Sequence, residues 1–160
     1  MTRIPGASKL DASFGLFIFR LVVGFLFTVH GTVKIFGWPA GAGKMTEFGA
    51  WPGWWSGLIE LVAGLLIISG LFTRAAAFLA SGTMAVAYFW KHQPDGLLPI
   101  QNDGESAVLY CFAFLLLVFT GGGAWALDDI RGKRGDIQSA ADAVPAEQHS
   151  ENAGSSPARP

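Results

Sequence analysis

The chain has 160 residues, 51% of them hydrophobic and 14% charged, with a mean hydropathy of +0.41, too apolar and too poor in charge for an ordinary soluble domain. A formal net charge of -1 and a pI near 6.3 lack the basic surplus that phosphate binding needs, which excludes nucleic acid as a partner. A single cysteine, Cys111, rules out an internal disulfide and a CxxC redox or zinc motif. No metal site is expected, and redox chemistry would require a non-covalent cofactor or a partner.

Charge is distributed as in a membrane core with polar ends: residues 14–127 hold 10 of the 23 charged side chains, and the two termini hold the other 13. The sequence predicts an all-α, multi-pass integral membrane four-helix bundle in contact with the lipid bilayer. A first span, 14–36, would extend about 35 Å as a helix, enough for a ~30 Å hydrocarbon core. Residues 1–13 precede it as a cytoplasmic segment. Arg3, Lys9 and the Ala40-Gly41-Ala42 triplet loosely imitate a signal peptide, but the run is too long and holds Arg20, so an uncleaved span is expected. The loop 37–53, rich in Gly, Pro and Trp, suits an interface. Its GWPAGAGK stretch imitates a phosphate loop, yet Met45 stands where the magnesium-binding hydroxyl belongs and no strand precedes it.

The second span, 54–72, opens with aromatic residues and is interrupted only by Glu60. The third, 75–90, is short at about 24 Å, so Arg74 and Lys91 would snorkel from its ends. Thr73 and Arg74 alone separate these two, which makes them antiparallel neighbours. Pro94, Gly96, Pro99 and Gly104 make 92–104 a structured loop. The fourth span, 106–127, carries no charge, and the glycines at 121–123 act as a helix stop. Beyond about residue 130 the composition turns to Ala, Ser, Pro, Asp and Glu, and the tail 131–160 is expected to be disordered from about 138. Arg3, Lys9, Arg74, Arg131, Lys133 and Arg134 fall on the terminal side, against Lys44 and Lys91 opposite, which places both termini in the cytoplasm.

An ionisable group inside lipid costs about 2.5–3.5 kcal/mol on insertion scales and therefore marks a candidate site. Four occur: Arg20, His30, Lys34 and Glu60. On the first helix Arg20, Lys34, Gly24 and Gly31 share one arc with His30 nearby. On the second, Gly57, Glu60 and Gly64 share another, so two small-residue faces can approach closely. His30 and Glu60 both lie about 9 Å below the outer boundary, Lys34 stands one turn above His30, and Asn102, Asp103 and Glu105 enter from the same side. A polar pocket of His30, Lys34, Glu60, Asn102 and Glu105 is the functional reading; packing of Glu60 against His30 or Lys34 is the structural one, and the residues alone leave both open. Arg20 is read as a structural charge that snorkels or bonds carbonyls, Cys111 as buried and inert, and the tryptophans with Tyr88 as an aromatic belt. His92 is a weak signal.

The series Arg20-x3-Gly24-x5-His30-Gly31-x2-Lys34-x-Phe36-Gly37, then Glu60, Gly64, Gly70 and Arg74, then Asn102-Asp103-Gly104-Glu105 and a Gly-rich end leading to Leu127-Asp128, resembles the DoxX family over 14–130. That resemblance implies a small four-helix protein of the bacterial inner membrane, related to the membrane subunit of thiosulfate:quinone oxidoreductases. It also implies a quinone as the possible cofactor and a soluble or membrane redox partner. No catalytic residue is carried over, and the matching residues enter as motif positions. Transport of a proton or small solute, or a non-catalytic membrane anchor, are the rival functions.

Overall fold

In the computed structural model, residues 9–129 are described; the expected disorder of the tail and the polar segment 1–8 lie outside them. Four α-helices follow in order: α1 Lys9–Phe36, α2 Gly53–Ser69, α3 Thr73–Ala87 and α4 Glu105–Thr120. A π-helical segment, Tyr88–His92, and a 3-10 turn, Gln93–Asp95, continue α3. No strand occurs among the described residues.

Three helix ends show a chemical cause. α2 stops at Gly70, which takes a left-handed conformation (φ 71°) so that its N–H and that of Leu71 close on the carbonyls of Ile67 and Leu66, a Schellman stop. The turn to α3 is therefore Gly70–Phe72, one turn earlier than the sequence pattern places it. The N–H groups of Phe72 and Thr73 donate to the Asp128 carboxylate at 2.8 and 2.9 Å, which satisfies orphan donors and sets a negative charge at the N-terminal end of the helix dipole. α4 ends at Gly121, φ 78°, seven residues before the expected boundary, because the glycine run there halts the helix.

Packing runs in pairs, α1 against α2 and α3 against α4, with α2 and α3 joining the pairs. Phe27, Ile67, Phe114 and Leu117 are fully buried among Ala63, Ala76, Ala77 and Ala80, and the Phe27 and Phe114 rings meet edge-on at 4.6 Å. The outward faces carry large apolar side chains instead: Phe25 on α1, Leu65 on α2, Phe78 on α3 and Phe119 on α4 are 53–75% exposed. Small residues and polar groups (Arg20, Glu60, Ser81) point inward. In water this distribution would expose an extensive apolar surface, whereas in lipid it costs nothing and lets backbones pack closely. By length and composition one helix, Ala12–Phe36, clearly suffices to cross a membrane; Gly53–Ser69 and Glu105–Thr120 are shorter apolar helices.

Candidate functional site

The contact between α1 and α2 is made by backbone. A Cβ on Gly31 would lie 2.5 Å from the Leu61 nitrogen and 2.8 Å from the Gly57 carbonyl oxygen, so no larger residue fits. One turn on, the Lys34 side chain passes over Gly57, whose missing Cβ would stand 2.7 Å from that of Lys34. This approach carries the Lys34 ammonium across to α2. Its Nζ donates to Glu60 Oε1 at 2.5 Å and to Ser56 Oγ at 3.1 Å, and Ser56 in turn donates to the Gly53 carbonyl. Thr46 fastens the following loop by donating both its N–H and its hydroxyl to the Lys34 carbonyl.

The two partners sit in different surroundings. Glu60 is 2% exposed in its side chain and Lys34 is 31% exposed. Glu60 Oε2 is buried and has no hydrogen-bond partner among the described residues. An ammonium has three N–H donors, two of them committed here, so one is left. Lys34 borders an apolar cleft of about 720 Å³ between α2 and α3, walled by Trp51, Trp55, Phe78 and Trp90, with His92 in its lining.

The other expected pocket members lie apart from this pair. His30 is exposed and turns toward α4, its ring edge-on to Tyr110 at 5.9 Å. It does not line the cleft. Asn102 does not join the pair either: its amide donates to the Gly96 carbonyl and its Oδ1 accepts from the Gly104 N–H, so it staples its own loop. Glu105 is exposed in the first turn of α4, where a carboxylate complements the helix dipole.

Of the two structural roles expected of Arg20, snorkelling is not the one it takes. It is 1% exposed, its guanidinium lies 5.4 Å from the Phe17 ring centroid, and it reaches the place where Gly70, Gly122, Ala126 and Thr73 converge. A Cβ on Gly70 would run into Arg20 and would approach Ala126 Cα to 2.7 Å. Cys111 is half-buried rather than buried, its Sγ 3.5 Å from Ser81 Oγ. The cleft escaped the sequence reading because its tryptophans match an interfacial belt. The one legible trace was their clustering at 51–55 and 90, at the same ends of neighbouring helices.

The described residues are all-α, with apolar exterior faces and the charges of Arg20 and Glu60 turned inward, a distribution that suits a membrane protein. Residues 15–93 match the DoxX family model, a shorter stretch than the motif series suggested and one that ends before α4. An "Uncharacterized protein" of Haemophilus influenzae is 44% identical over 114 residues, covering 69% of this chain and 85% of the relative. Two Escherichia coli proteins follow the same pattern: "Inner membrane protein YphA" at 32% over 122 residues (71% and 87%) and "Inner membrane protein YqjF" at 30% over 128 residues (75% and 94%). No solved structure matches at a significant level. The chain belongs to the DoxX family and is a protein of the bacterial inner membrane.

Proposed function

We propose that this chain is a four-span membrane component of a quinone-linked oxidoreductase system, both termini cytoplasmic, in which the cleft between α2 and α3 receives the quinone head. The observation that carries the reading is the uncommitted third donor of Lys34 at the edge of an aromatic-walled cleft. A quinone head is a flat, neutral ring with carbonyl acceptors, which suits apolar walls with few polar groups. When bound it would take electrons from a redox partner and protons from its surroundings. Within the chain, Lys34 donates to the ring oxygen, Ser56 and Glu60 hold the ammonium in place, and the tryptophans, 47–72% exposed, offer flat apolar walls to the ring.

The four-span topology is supported by outward apolar side chains on every helix and by the unbroken course of α3 and its π-helical continuation from Thr73 to His92. Reporter fusions at residues 45, 74, 97 and 135 should place 74 and 135 in the cytoplasm and 45 and 97 outside; the reverse would overturn the orientation.

Binding is tested by titrating the detergent-purified protein with a short-tailed ubiquinone analogue and following tryptophan quenching. Saturable quenching is expected, at least about tenfold weaker in the double variant Lys34→Met/Glu60→Gln, which removes both charges together, since a charge-assisted hydrogen bond is lost. Equal affinity in both proteins, or displacement by short-chain phosphatidylglycerol in place of quinone, would favour a lipid site and the anchor or transport functions.

A further inference from the structure

His92 ends the π-helical continuation of α3 and lines the cleft that Lys34 borders. Its Nδ1 lies 2.9 Å from the main-chain carbonyl oxygen of Asn102. A carbonyl oxygen can only accept, so the proton of this bond sits on Nδ1. In the neutral ring Nε2 is then a lone-pair acceptor, its tautomer set by the bond on the far side. The orienting carbonyl is itself held: Asn102 is 5% exposed and bonded through its side chain to Gly96 at 2.7 Å and Gly104 at 2.9 Å. The staple that removes Asn102 from the pocket thus fixes the ring that belongs to it.

The rest of the polar lining is different in kind. Lys34 and Lys91 are donors only. The hydroxyls of Ser56 and Thr83 donate to the carbonyls of Gly53 and Leu79 and keep only hydroxyl lone pairs, weaker acceptors than an imidazole nitrogen, with Ser56 already accepting from Lys34; the tryptophans offer a single N–H each. A neutral imidazole nitrogen is the strongest side-chain acceptor in the cleft.

Resting on the quinone reading above, we propose that His92 makes the cleft selective for the reduced, hydroquinone form of its ligand. Lys34 donates to an oxygen of the head, while His92 Nε2 accepts from a hydroxyl that the oxidised form lacks. The oxidised quinone has acceptors only and leaves Nε2 unmatched. One neutral hydrogen bond gives a preference of about three- to tenfold.

The test measures affinities of a short-tailed quinone and its hydroquinone under anaerobic conditions. Proteins compared are the wild type, His92→Phe and His92→Gln. The wild type should hold the hydroquinone about three- to tenfold more tightly; His92→Phe should lose that preference. His92→Gln, which can donate or accept, should bring the ratio near one. Nitrogen-15 spectra should show Nδ1 protonated in wild-type His92, with Nε2 shifting on hydroquinone addition. Equal wild-type affinities, or a preference that survives in His92→Phe, would overturn the role of His92 while the cleft reading stands. Failure of the wild type to bind either form would overturn both.

Discussion

Arg20 and Glu60 are each 1% exposed, yet their surroundings differ in a way that separates a closed joint from the proposed site. Around Arg20 the structure closes: Gly70, Gly122, Ala126 and Thr73 crowd the guanidinium at the point where α1, the α2–α3 turn and the segment after α4 meet. Around Glu60 it opens, because its partner Lys34 is 31% exposed and borders the cleft. Burial of a charge therefore does not identify a functional centre. What distinguishes the two is whether the partner of the buried charge reaches a space that a ligand can occupy.

The closed joint is most sensitive at Gly70. Replacing it with Ala forces a left-handed conformation on a residue with a Cβ and drives that atom toward Arg20 and Ala126, for an expected loss of roughly 2–5 kcal/mol. Thermal unfolding in detergent would record it, and quinone affinity per folded molecule should not move. At the open end, Lys34→Met alone should be about 1–3 kcal/mol less stable than Lys34→Met/Glu60→Gln, because the single variant strands a buried carboxylate. The effect falls short of that for a fully enclosed pair because Lys34 is partly exposed, and equal stability of the two variants would show that the pair contributes nothing.

Smaller effects sharpen the same contrast. Asp128→Ala removes the acceptor for the N–H groups of Phe72 and Thr73 and should cost about 1–2 kcal/mol, again in thermal stability and with ligand affinity intact. Ser56→Ala removes one of the two bonds that hold the Lys34 ammonium. It should cost about 0.5–1.5 kcal/mol of stability, and titration should find quinone affinity within about threefold of wild type. A loss of affinity larger than that of the charge-removing double variant would assign ligand contact to Ser56 rather than Lys34.

Local pattern made part of this legible in the sequence. Gly24, Gly31, Gly57, Gly64, Lys34 and Glu60 follow helical periodicity on two consecutive apolar segments, so their meeting could be read from angles alone. Arg20 could not be placed that way, since its surroundings come from Gly70 and Gly122, 50 and 102 positions along the chain, and require the α2–α3 turn to fold back on the end of α4. The bonds of Asn102 were illegible for the opposite reason: they run to Gly96 and Gly104 within its own loop, and short-range loop geometry leaves no periodic trace. The cleft needs α2 and α3 side by side with Trp51, Trp55 and Trp90 brought together, a tertiary fact hidden by the ordinary interfacial role of tryptophan.

Photolabelling the purified protein with an azido-quinone and mapping the adducts by mass spectrometry, in the wild type and in Lys34→Met/Glu60→Gln, tests quinone binding in the cleft most directly. Adducts concentrated on residues 51–59 and 78–92, and strongly reduced in the double variant, are the predicted result. Adducts spread over the outward faces of all four helices, or equally abundant on the cleft peptides of both proteins, would contradict it.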